Sequence, residues 1–418
     1  MMNVIELRRD FHRHPEVGFT EFRTASKIVG ILQSLGYQVL YGDDAMDADV
    51  RFGVPSEQVF KDTYENVAKD LGEQADLSKM KGGLTAIVGI LQGHVEGPTV
   101  AYRFDIDALP VAESNEIDHA PAQLDFRSNH QGVMHACGHD GHSAIGLAFA
   151  KNMADKNFAG TLKLIFQPAE EGGRGAYAMV KKGVVDDVDR LFCFHLGMGL
   201  PSGEISAGVN DFLASTKLKA FFKGVSSHAG CAPEQGRHAL VGAATALLNI
   251  QALPRYSTAA TRINVGTLHG GNSVNIIPAY AEMELETRSN SPEVNEELEH
   301  RVRKIIEHSG IMHDLEYGIE VIGKTTIAHC DSDMMTLVEE EAETMADIKH
   351  VRKYHSFGAG EDATFFMNHV QKMGGQATYM VIGSSLKAPH HHEKFDLDEE
   401  VLPVAVQLLT RLAKRTLQ

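Results

Sequence analysis

Cysteine is scarce in this sequence, and long apolar runs are absent. Only four of the 418 residues are cysteines, and they are widely scattered. A disulfide framework is therefore not expected, and this cysteine usage predicts a reducing compartment, the cytoplasm. No apolar run approaches the roughly 20 residues that a membrane-spanning helix requires. The N-terminus is amphipathic and charged and lacks the apolar centre of a signal peptide. We expect no membrane partner.

Positive charge is also in short supply. The chain has 39 lysines and arginines against 56 aspartates and glutamates, so its formal net charge is −17. An acidic surface repels phosphate backbones, which excludes nucleic acid as an expected partner. A chain of 418 residues is too long for one compact core, and its length predicts two domains.

The arrangement of apolar residues predicts an α/β fold. Short buried-strand runs alternate with helical periodicity over residues 84–196, as in a mixed, largely parallel sheet flanked by helices. Residues 43–82 are polar and weakly periodic, so we interpret them as a partly helical insertion without catalytic residues. Residues 215–324 show the order β-α-β-β-α-β, typical of a ferredoxin-like domain. We therefore predict a catalytic domain at 1–214 and 325–418, with a lid or dimerisation domain inserted at 215–324.

The densest group of potential metal ligands is the segment His135-Ala-Cys-Gly-His-Asp-Gly-His142. Cys137 and His139 alternate across Gly138, so one extended turn could direct both side chains to one point. Thiolate and imidazole are good ligands for zinc-like ions. A histidine-rich loop around a buried cysteine explains the segment equally well, and the segment alone leaves both interpretations open.

Two adjacent carboxylates follow the next predicted strand, in Gln167-Pro-Ala-Glu-Glu-Gly-Gly173. Ligands of open α/β sheets gather at the carboxyl ends of strands. Because adjacent side chains point in different directions, one carboxylate could bind a metal while the other acts as a general base. A solvated acidic turn is the alternative, and it is the commoner outcome for an isolated pair.

Further candidates lie at other strand ends and late in the chain. His195 ends an apolar run, where a lone histidine is more often a core residue than a ligand. Any histidine of His390-His-His392 could bind a metal. Asp105 and Asp107 face the same side of an extended chain, and one of them could hold a ligating imidazole, unless both only cap a turn. One sheet would bring these strand ends together, which favours a shared metal site.

Taken in order, these motifs resemble those of the M20 family of metallopeptidases and amidohydrolases. The likeness runs nearly end to end and points to the branch with hippurate hydrolases, N-acyl amino acid amidohydrolases and auxin-conjugate hydrolases. Within that branch, the insertion at 43–82 makes the sequence most similar to the A-subunit type of p-aminobenzoyl-glutamate hydrolase. The matching segments are Arg8–Glu16, Asp105–Pro110, His135–His142, Gln167–Glu171, Phe194–Gly197, Ser227–Ala229, Asn275–Pro278 and Gly360–Asp362.

The resemblance implies a dinuclear metal centre that holds two divalent ions, manganese or zinc. The family's last ligand stands four residues before a phenylalanine, which with Phe395 selects His391 among its neighbours. The resemblance assigns the following residues as metal ligands: Cys137, His139, Glu171, His195 and His391.

The resemblance also implies roles outside the ligand set. Glu170 would be the general base, and Asp107 would hold a ligand from behind. His228 matches a histidine that reaches a partner's active site, where it stabilises an oxyanion. Asn275 and Arg288 match residues that hold the free carboxylate of the substrate. A surface salt bridge is the alternative for Arg288.

The implied reaction is metal-dependent hydrolysis of the amide bond of an N-acyl or N-aroyl amino acid. For the p-aminobenzoyl-glutamate type, the products would be p-aminobenzoate and glutamate. The alternatives are a general hippurate-like hydrolase or dipeptidase, and a non-catalytic binding subunit. The expected role of His228 across an interface implies a dimer, either of identical chains or with a homologous subunit.

Overall fold

The computed structural model describes residues 3–72 and 77–418, so residues 73–76 of the predicted insertion lie outside the described part. The chain divides into two compact units. The first contains the described residues up to Asn210, together with Ala328–Gly358 and Asp362–Gln418, and the second contains Asp211–Ile327 and Ala359–Glu361. Within the described ranges, no helix is both long enough and apolar enough to cross a membrane.

A mixed eight-stranded sheet forms the centre of the first unit. Its strands are β1 (Gln38–Tyr41), β2 (Ile87–Gln92), β3 (Val95–Asp105), β4 (Ala159–Gln167), β5 (Arg190–Leu196), β6 (Glu204–Asn210), β11 (His350–Ser356) and β12 (Gln376–Ile382). They are ordered β1-β2-β4-β3-β5-β12-β6-β11. The pairs β4–β3, β3–β5, β5–β12 and β6–β11 are parallel, and the other three pairs are antiparallel. The predicted mixed, largely parallel sheet is confirmed.

Helices cover this sheet, and one of them is almost completely buried. They are α1 (Val4–Arg13), α2 (Phe22–Ser34), α3 (Glu57–Leu71), α4 (Ala120–Gln123), α5 (His139–Met153), α6 (Ala176–Lys181), α9 (Ser332–Glu343), α10 (Ala363–Lys372) and α11 (Val401–Thr416). Helix α5 lies between the sheet on one side and α1 and α11 on the other. A side chain at Gly146 would meet the rings of Phe166 and Phe104, so glycine allows α5 to approach the sheet closely. This close packing fixes the first turn of α5, which begins at His139.

The second unit has its own core between a four-stranded sheet and two helices. Its elements are β7 (Ala214–Lys223), α7 (Ala239–Gln251), β8 (Thr261–Gly270), β9 (Tyr280–Ser289), α8 (Pro292–Met312) and β10 (Glu316–Thr325). The antiparallel sheet has the order β10-β7-β9-β8. On β7 the buried residues Leu218, Ala220 and Phe222 alternate with less buried ones, so one face of the sheet meets the helices.

A buried arginine ties α1 to α5 and to the segment before α11. Arg8 is fully buried and donates to Asp140 at 2.8 Å, to Asp396 at 2.7 Å and to Glu399 at 3.1 Å. Removing one partner of a buried ion pair leaves the other charge uncompensated. The free-energy cost of that change exceeds the stabilisation that the intact pair provides. Helix α1 and the segment before α11, far apart in sequence, therefore depend on one guanidinium.

We expect Arg8→Met to lower the free energy of unfolding of the first unit by about 3–5 kcal/mol, because the buried carboxylate of Asp140 would lose one of its two cationic partners and Asp396 would lose its pair with Arg8. Arg9→Met is the matched control, since Arg9 also pairs with Glu399 but its side chain is 34% exposed. The free energy of unfolding of this control variant should fall by less than about 1 kcal/mol. Urea unfolding of both variants measures the difference, and similar losses would contradict this account.

His12 extends the same network toward the loop before α4. Its Nδ1 lies 2.8 Å from Asp140 and its Nε2 lies 2.9 Å from Glu113. Burial opposes protonation of His12, but the hydrogen bonds to both carboxylates outweigh burial and raise its pKa to about 9. Burial likewise opposes ionisation of Glu113, but hydrogen bonds from His119 and His12 lower its pKa to about 2. A charged imidazole thus lies between two carboxylates.

This raised pKa predicts a loss of stability in alkaline solution. An unfolded histidine has a pKa near 6.5, so the contribution of His12 is fully present below that pH and is lost as pH rises through about 9. We expect the free energy of unfolding to fall more between pH 7 and pH 9.5 in the wild type than in His12→Gln. Other alkaline titrations are common to both proteins and cancel in the comparison. Equal falls would show that His12 is not charged in the folded protein.

Candidate metal centre

Four adjacent parallel strands, β4, β3, β5 and β12, end at one edge of the first unit's sheet. Asp107 follows β3, and Glu170 and Glu171 follow β4. His195 is the last residue but one of β5, and the loop after β12 leads to His390–His392. Because these strands run in the same direction, their carboxyl ends bring the candidate side chains together.

Left-handed backbone turns occur in the segments that carry these candidates. Gly138, between Cys137 and His139, has φ 90°, which suits glycine. Ala169, Met198 and His391 have φ values of 50°, 44° and 67°. Such conformations are costly for residues with a Cβ, and they persist where the surrounding structure holds them, often at functional sites. Each turn redirects the chain at or close to a candidate ligand.

Potential ligand atoms form groups that share Cys137. One group contains Cys137, His139 and His195, and a second contains Cys137, Glu171 and His391, with the ligand atoms of each group within 4.8 Å of one another. The thiol Sγ of Cys137 lies 3.5 Å from Nε2 of His195. Cys137 is therefore common to both groups of residues that would hold metal ions.

Asp107 organises the carboxylate turn and one imidazole together. Its two carboxylate oxygens accept the backbone N–H groups of Glu170 at 3.1 Å and Glu171 at 3.0 Å. The Nδ1 atom of His139 lies 2.9 Å from the Asp107 carbonyl oxygen and 3.3 Å from its carboxylate. In the neutral imidazole with Nδ1 as the donor, Nε2 of His139 carries the lone pair that a metal would need.

Orphaned buried atoms show that this site fits a divalent cation. Nε2 of His139 and Oε1 of Glu171 are buried and have no hydrogen-bond partner among the described residues. Oε1 of Glu171 also lies 3.3 Å from Nε2 of His391, although the pair does not make a hydrogen bond. Sulfur, nitrogen and oxygen donors that converge in this way suit zinc or a similar ion.

The electrostatics of the site also favour a cation. Burial raises the pKa of the Cys137 thiol well above its ordinary value, and the carboxylates of Glu171 and Glu170 raise it further. Burial opposes protonation of His139, but Asp105, Asp107 and Glu171 outweigh burial and raise its pKa to about 10. These carboxylates therefore create a negative potential that a bound cation would offset.

His142 and His390 lie beside the candidate ligands but use ring nitrogens in other hydrogen bonds. His142 lies 2.5 Å from Asp105 through Nδ1 and accepts the Leu196 N–H through Nε2, so both ring nitrogens are used. Nε2 of His390 accepts the Met198 N–H at 3.2 Å, and its Nδ1 lies 3.7 Å from the Cys137 sulfur. His390, one of the three histidines that the sequence offered as a possible ligand, is therefore a neighbour of Cys137.

Of the last two histidines of the triplet, His391 is the one that lies with candidate ligands. It shares a group with Cys137 and Glu171, and its backbone N–H donates to the Ala136 carbonyl at 2.7 Å. That bond holds its left-handed backbone against the cysteine loop. Nδ1 of His392 instead accepts the backbone N–H of Lys394 at 3.0 Å.

Several residues that position the carboxylate turn were not predicted. Asp362 accepts the backbone N–H groups of Gly175 and Ala176, and Gln167 donates to it at 2.7 Å. Glu21 accepts the Ala169 N–H at 2.9 Å. The turn is thus held by carboxylates from distant parts of the chain. The only sequence signal was the Gly360-Glu-Asp362 segment, to which no role was assigned.

The remaining candidates lie in the second unit. Nδ1 of His228 accepts the backbone N–H groups of Gly230 at 3.1 Å and Cys231 at 3.2 Å. Asn275 is close to His228, since its carbonyl accepts the N–H of Ala229. The structure thus brings His228 and Asn275 together.

Arg288 does not join them. It forms a bidentate pair with Glu286, with both distances 2.9 Å. Asn275 precedes the first residue of β9, Tyr280, whereas Arg288 is the last residue but one of that strand. The strand from Tyr280 to Arg288 spans roughly 26 Å.

Comparison with known proteins decides the family. The model of "Peptidase family M20/M25/M40" matches residues 101–415. The chain is 40% identical to the A-subunit of p-aminobenzoyl-glutamate hydrolase from Escherichia coli over 410 residues, which cover 97% of this chain and 94% of the relative. The chain belongs to peptidase family M20/M25/M40. It is also 42% identical to indole-3-acetyl-aspartic acid hydrolase of Enterobacter agglomerans, with the same coverage of both chains.

Solved structures agree with this M20 assignment. An aminobenzoyl-glutamate utilization protein from Klebsiella pneumoniae is 36% identical with a TM-score of 0.85, covering 99% of this chain and 95% of that one. A Bacillus subtilis protein described as a dinuclear metal binding peptidase from the M20 family is 25% identical with a TM-score of 0.65, covering 99% and 97%. The predicted family, the amide-hydrolysing enzyme class and the use of divalent metal ions are confirmed.

The triplet of histidines provides a direct test of the metal centre. We expect His391→Ala to lower the metal content and to reduce amide hydrolysis by roughly 100-fold or more, because it removes a donor beside Glu171. His392→Ala is the matched control, since its ring bonds a local backbone N–H. Metal analysis by mass spectrometry and hydrolysis rates measure both effects. Equal losses of metal content and hydrolysis rate in the two variants would contradict the choice of His391 as the metal ligand.

Proposed function

We propose that this M20 enzyme hydrolyses N-aroyl and N-acyl derivatives of acidic amino acids, and p-aminobenzoyl-glutamate in particular. The products are p-aminobenzoate and glutamate. Two relatives of at least 40% identity are named for p-aminobenzoyl-glutamate and for indole-3-acetyl-aspartate. Both compounds join an aromatic acid to an acidic amino acid through an amide. The main structural support for this reaction is the turn that contains Glu170 and Glu171. Asp107 holds this turn, and the two glutamates lie beside Cys137 and His139.

Two divalent ions, manganese or zinc, complete the proposed site. Bound ions supply a Lewis acid that acidifies water and polarises the scissile carbonyl. The orphaned atoms of His139 and Glu171 support this assignment. The proposed ligands are Cys137, His139, Glu171, His195 and His391.

Glu170 is the proposed general base. It shares the turn with the ligand Glu171, and Asp107 holds the backbone N–H groups of both. Its carboxylate takes a proton as water attacks the amide carbonyl and delivers that proton to the leaving amine. One group can serve both steps because the proton it gains in the first is the one that the amine needs in the second.

The second unit is proposed to be a ferredoxin-like lid and dimerisation domain corresponding to residues 215–324. Because Nδ1 of His228 accepts two backbone N–H groups, its proton lies on Nε2, where it can stabilise an oxyanion. Asn275 and Arg288 are proposed to hold the α-carboxylate of the substrate. Asn275 precedes β9 and Arg288 lies near the far end of that strand, and this separation supports a site built from two copies, as a homodimer or with a homologous subunit. We propose the cytoplasm as its location.

Replacing the proposed base should abolish turnover without removing the metal. We expect Glu170→Ala to lower kcat by about 10²–10⁴-fold while the protein keeps its metal content. Glu65→Ala, an exposed carboxylate on α3, is the control and should be fully active. If metal-loaded wild type hydrolyses acyl amino acids no faster than Glu170→Ala, the enzyme proposal fails and a binding subunit becomes the better interpretation.

A substrate panel tests the choice of amino acid. The measurement is kcat/KM for p-aminobenzoyl-glutamate and for benzoyl-glycine in the same metal-loaded preparation. We expect a clear preference for the glutamate derivative. Equal values would exclude the glutamate assignment and favour a general hippurate-like hydrolase.

A further inference from the structure

Two arginines contact one buried aromatic ring beside the Glu170–Glu171 turn. The guanidinium carbon of Arg51 lies 5.3 Å from the centroid of the Phe19 ring, and that of Arg174 lies 5.6 Å from it. Phe19 is completely buried, and its backbone is left-handed with φ 67°. This conformation is strained in a bulky residue, and such strain concentrates at ligand sites.

Arg174 connects the catalytic turn to the insertion. Its Nε donates to the carbonyl of Glu171 at 2.9 Å, and its Nη1 donates to the carbonyl of Gly53 at 3.3 Å. A Cβ at Gly18 would collide with the guanidinium, so glycine provides the space that this group occupies. The position of Arg174 is therefore fixed next to a proposed metal ligand.

Arg51 is fixed in a similar way from within the insertion. Its Nε donates to the Ala48 carbonyl at 3.1 Å, and its Nη1 donates to the carbonyls of Gly82 at 2.7 Å and Gly83 at 3.2 Å. Burial lowers the pKa of Arg51, although the carboxylate of Asp49 acts in the opposite direction, so its charge lacks full solvation. The acceptors that hold the guanidinium are neutral carbonyls.

Neither Arg51 nor Arg174 forms an ion pair with a carboxylate in the described part of the chain. Two fully buried arginines do pair with carboxylates. Arg8 lies 2.8 Å from Asp140, and Arg103 lies 2.6 Å from Asp105. The chain has 56 acidic residues against 39 basic ones, so acidic partners are not scarce. Two arginines fixed by neutral acceptors at one place keep their attraction for an external anion.

The insertion reaches the catalytic turn through the segment that contains Arg51. The backbone N–H of Asp47 donates to the Ala178 carbonyl in α6 at 3.1 Å. The ring of Phe52 stacks on Tyr177 of the same helix, with centroids 5.3 Å apart. Helix α6 begins shortly after the turn of Glu170 and Glu171. The sequence attached no catalytic role to residues 43–82, but this segment lies next to the proposed site.

We infer that Arg174 and Arg51 form the recognition site for the side-chain carboxylate of the acidic amino acid in the substrate. This inference rests on the proposed function and deepens it. Carboxylate is the chemistry that a guanidinium recognises best, through parallel charged hydrogen bonds. Arg174 is held at the carbonyl of Glu171, a proposed metal ligand, and Arg51 contributes a second positive charge from the insertion.

The test compares p-aminobenzoyl-glutamate with its neutral isostere p-aminobenzoyl-glutamine. Metal-loaded wild type should favour the glutamate substrate in kcat/KM by about 10-fold or more, the worth of a charged hydrogen bond. Arg174→Gln should remove most of this preference by raising KM for the glutamate substrate, and Arg51→Gln should remove a smaller part. Both variants should lose less kcat/KM on the glutamine substrate than on the glutamate substrate.

Arg190→Gln is the matched control. Arg190 also donates to a backbone carbonyl, that of Thr416 at 3.2 Å, but it begins β5, at the other end of the strand from His195. This variant should keep the wild-type preference for glutamate. Arg174→Lys, which keeps the charge, should restore part of the preference that Arg174→Gln loses.

The outcomes separate this inference from the proposed function. Equal losses on both substrates in Arg174→Gln would show only a structural clamp and would overturn the inference, as would a wild type without preference. Binding of both compounds to Glu170→Ala provides a second measurement that does not depend on turnover. If no amide is hydrolysed, the proposed function fails. Equal affinity of Glu170→Ala for the two compounds would then overturn the inference, whereas tighter binding of the glutamate compound that is lost on adding Arg174→Gln would support it.

Discussion

The carboxylate of Asp107 holds the candidate metal centre together. It accepts the backbone N–H groups of Glu170 and Glu171, and it lies against Nδ1 of His139. The carboxylate turn, the first residue of α5 and the end of β3 are therefore fixed relative to one another by one side chain. Without it, the backbone N–H groups of the adjacent glutamates would lose the acceptor that fixes the turn, and with it the different directions of the two carboxylates.

Buried charges stabilise the scaffold behind this centre at considerable cost in desolvation. Arg8 and His12 both contact Asp140, which follows His139 directly in α5. Burial of a charged group in a protein is unfavourable unless oppositely charged groups lie within hydrogen-bond distance of it. The network therefore makes the position of the first turn of α5 depend on α1 and on the segment before α11. In the same way, Arg103 and Asp362 hold the turn that follows β4.

Much of the fold follows from local patterns, and the omissions have physical reasons. Apolar runs identified β3, β4 and β5, because strands buried on both faces need continuous apolar sequence. The edge strand β11, His-Val-Arg-Lys-Tyr-His-Ser, has no such run and was not predicted. Its side chains are largely exposed, so burial left little pattern in its sequence. The insertion was recognised as partly helical, but its contact with α6 left no local signal.

The family, the enzyme class and the residue types available for metals all follow from the amino-acid sequence, because they depend on short motifs whose order along the chain is specific. Only the tertiary structure distinguishes the histidines within His135–His142 and within His390–His392. The ring nitrogens of His142 bond Asp105 and the backbone N–H of Leu196, and Nδ1 of His392 accepts the backbone N–H of Lys394. Folding also places Arg51 and Arg174 on one ring and sets Arg288 far from Asn275. A hydrogen bond depends on distance in space, and the spacing of two residues along the chain does not record that distance.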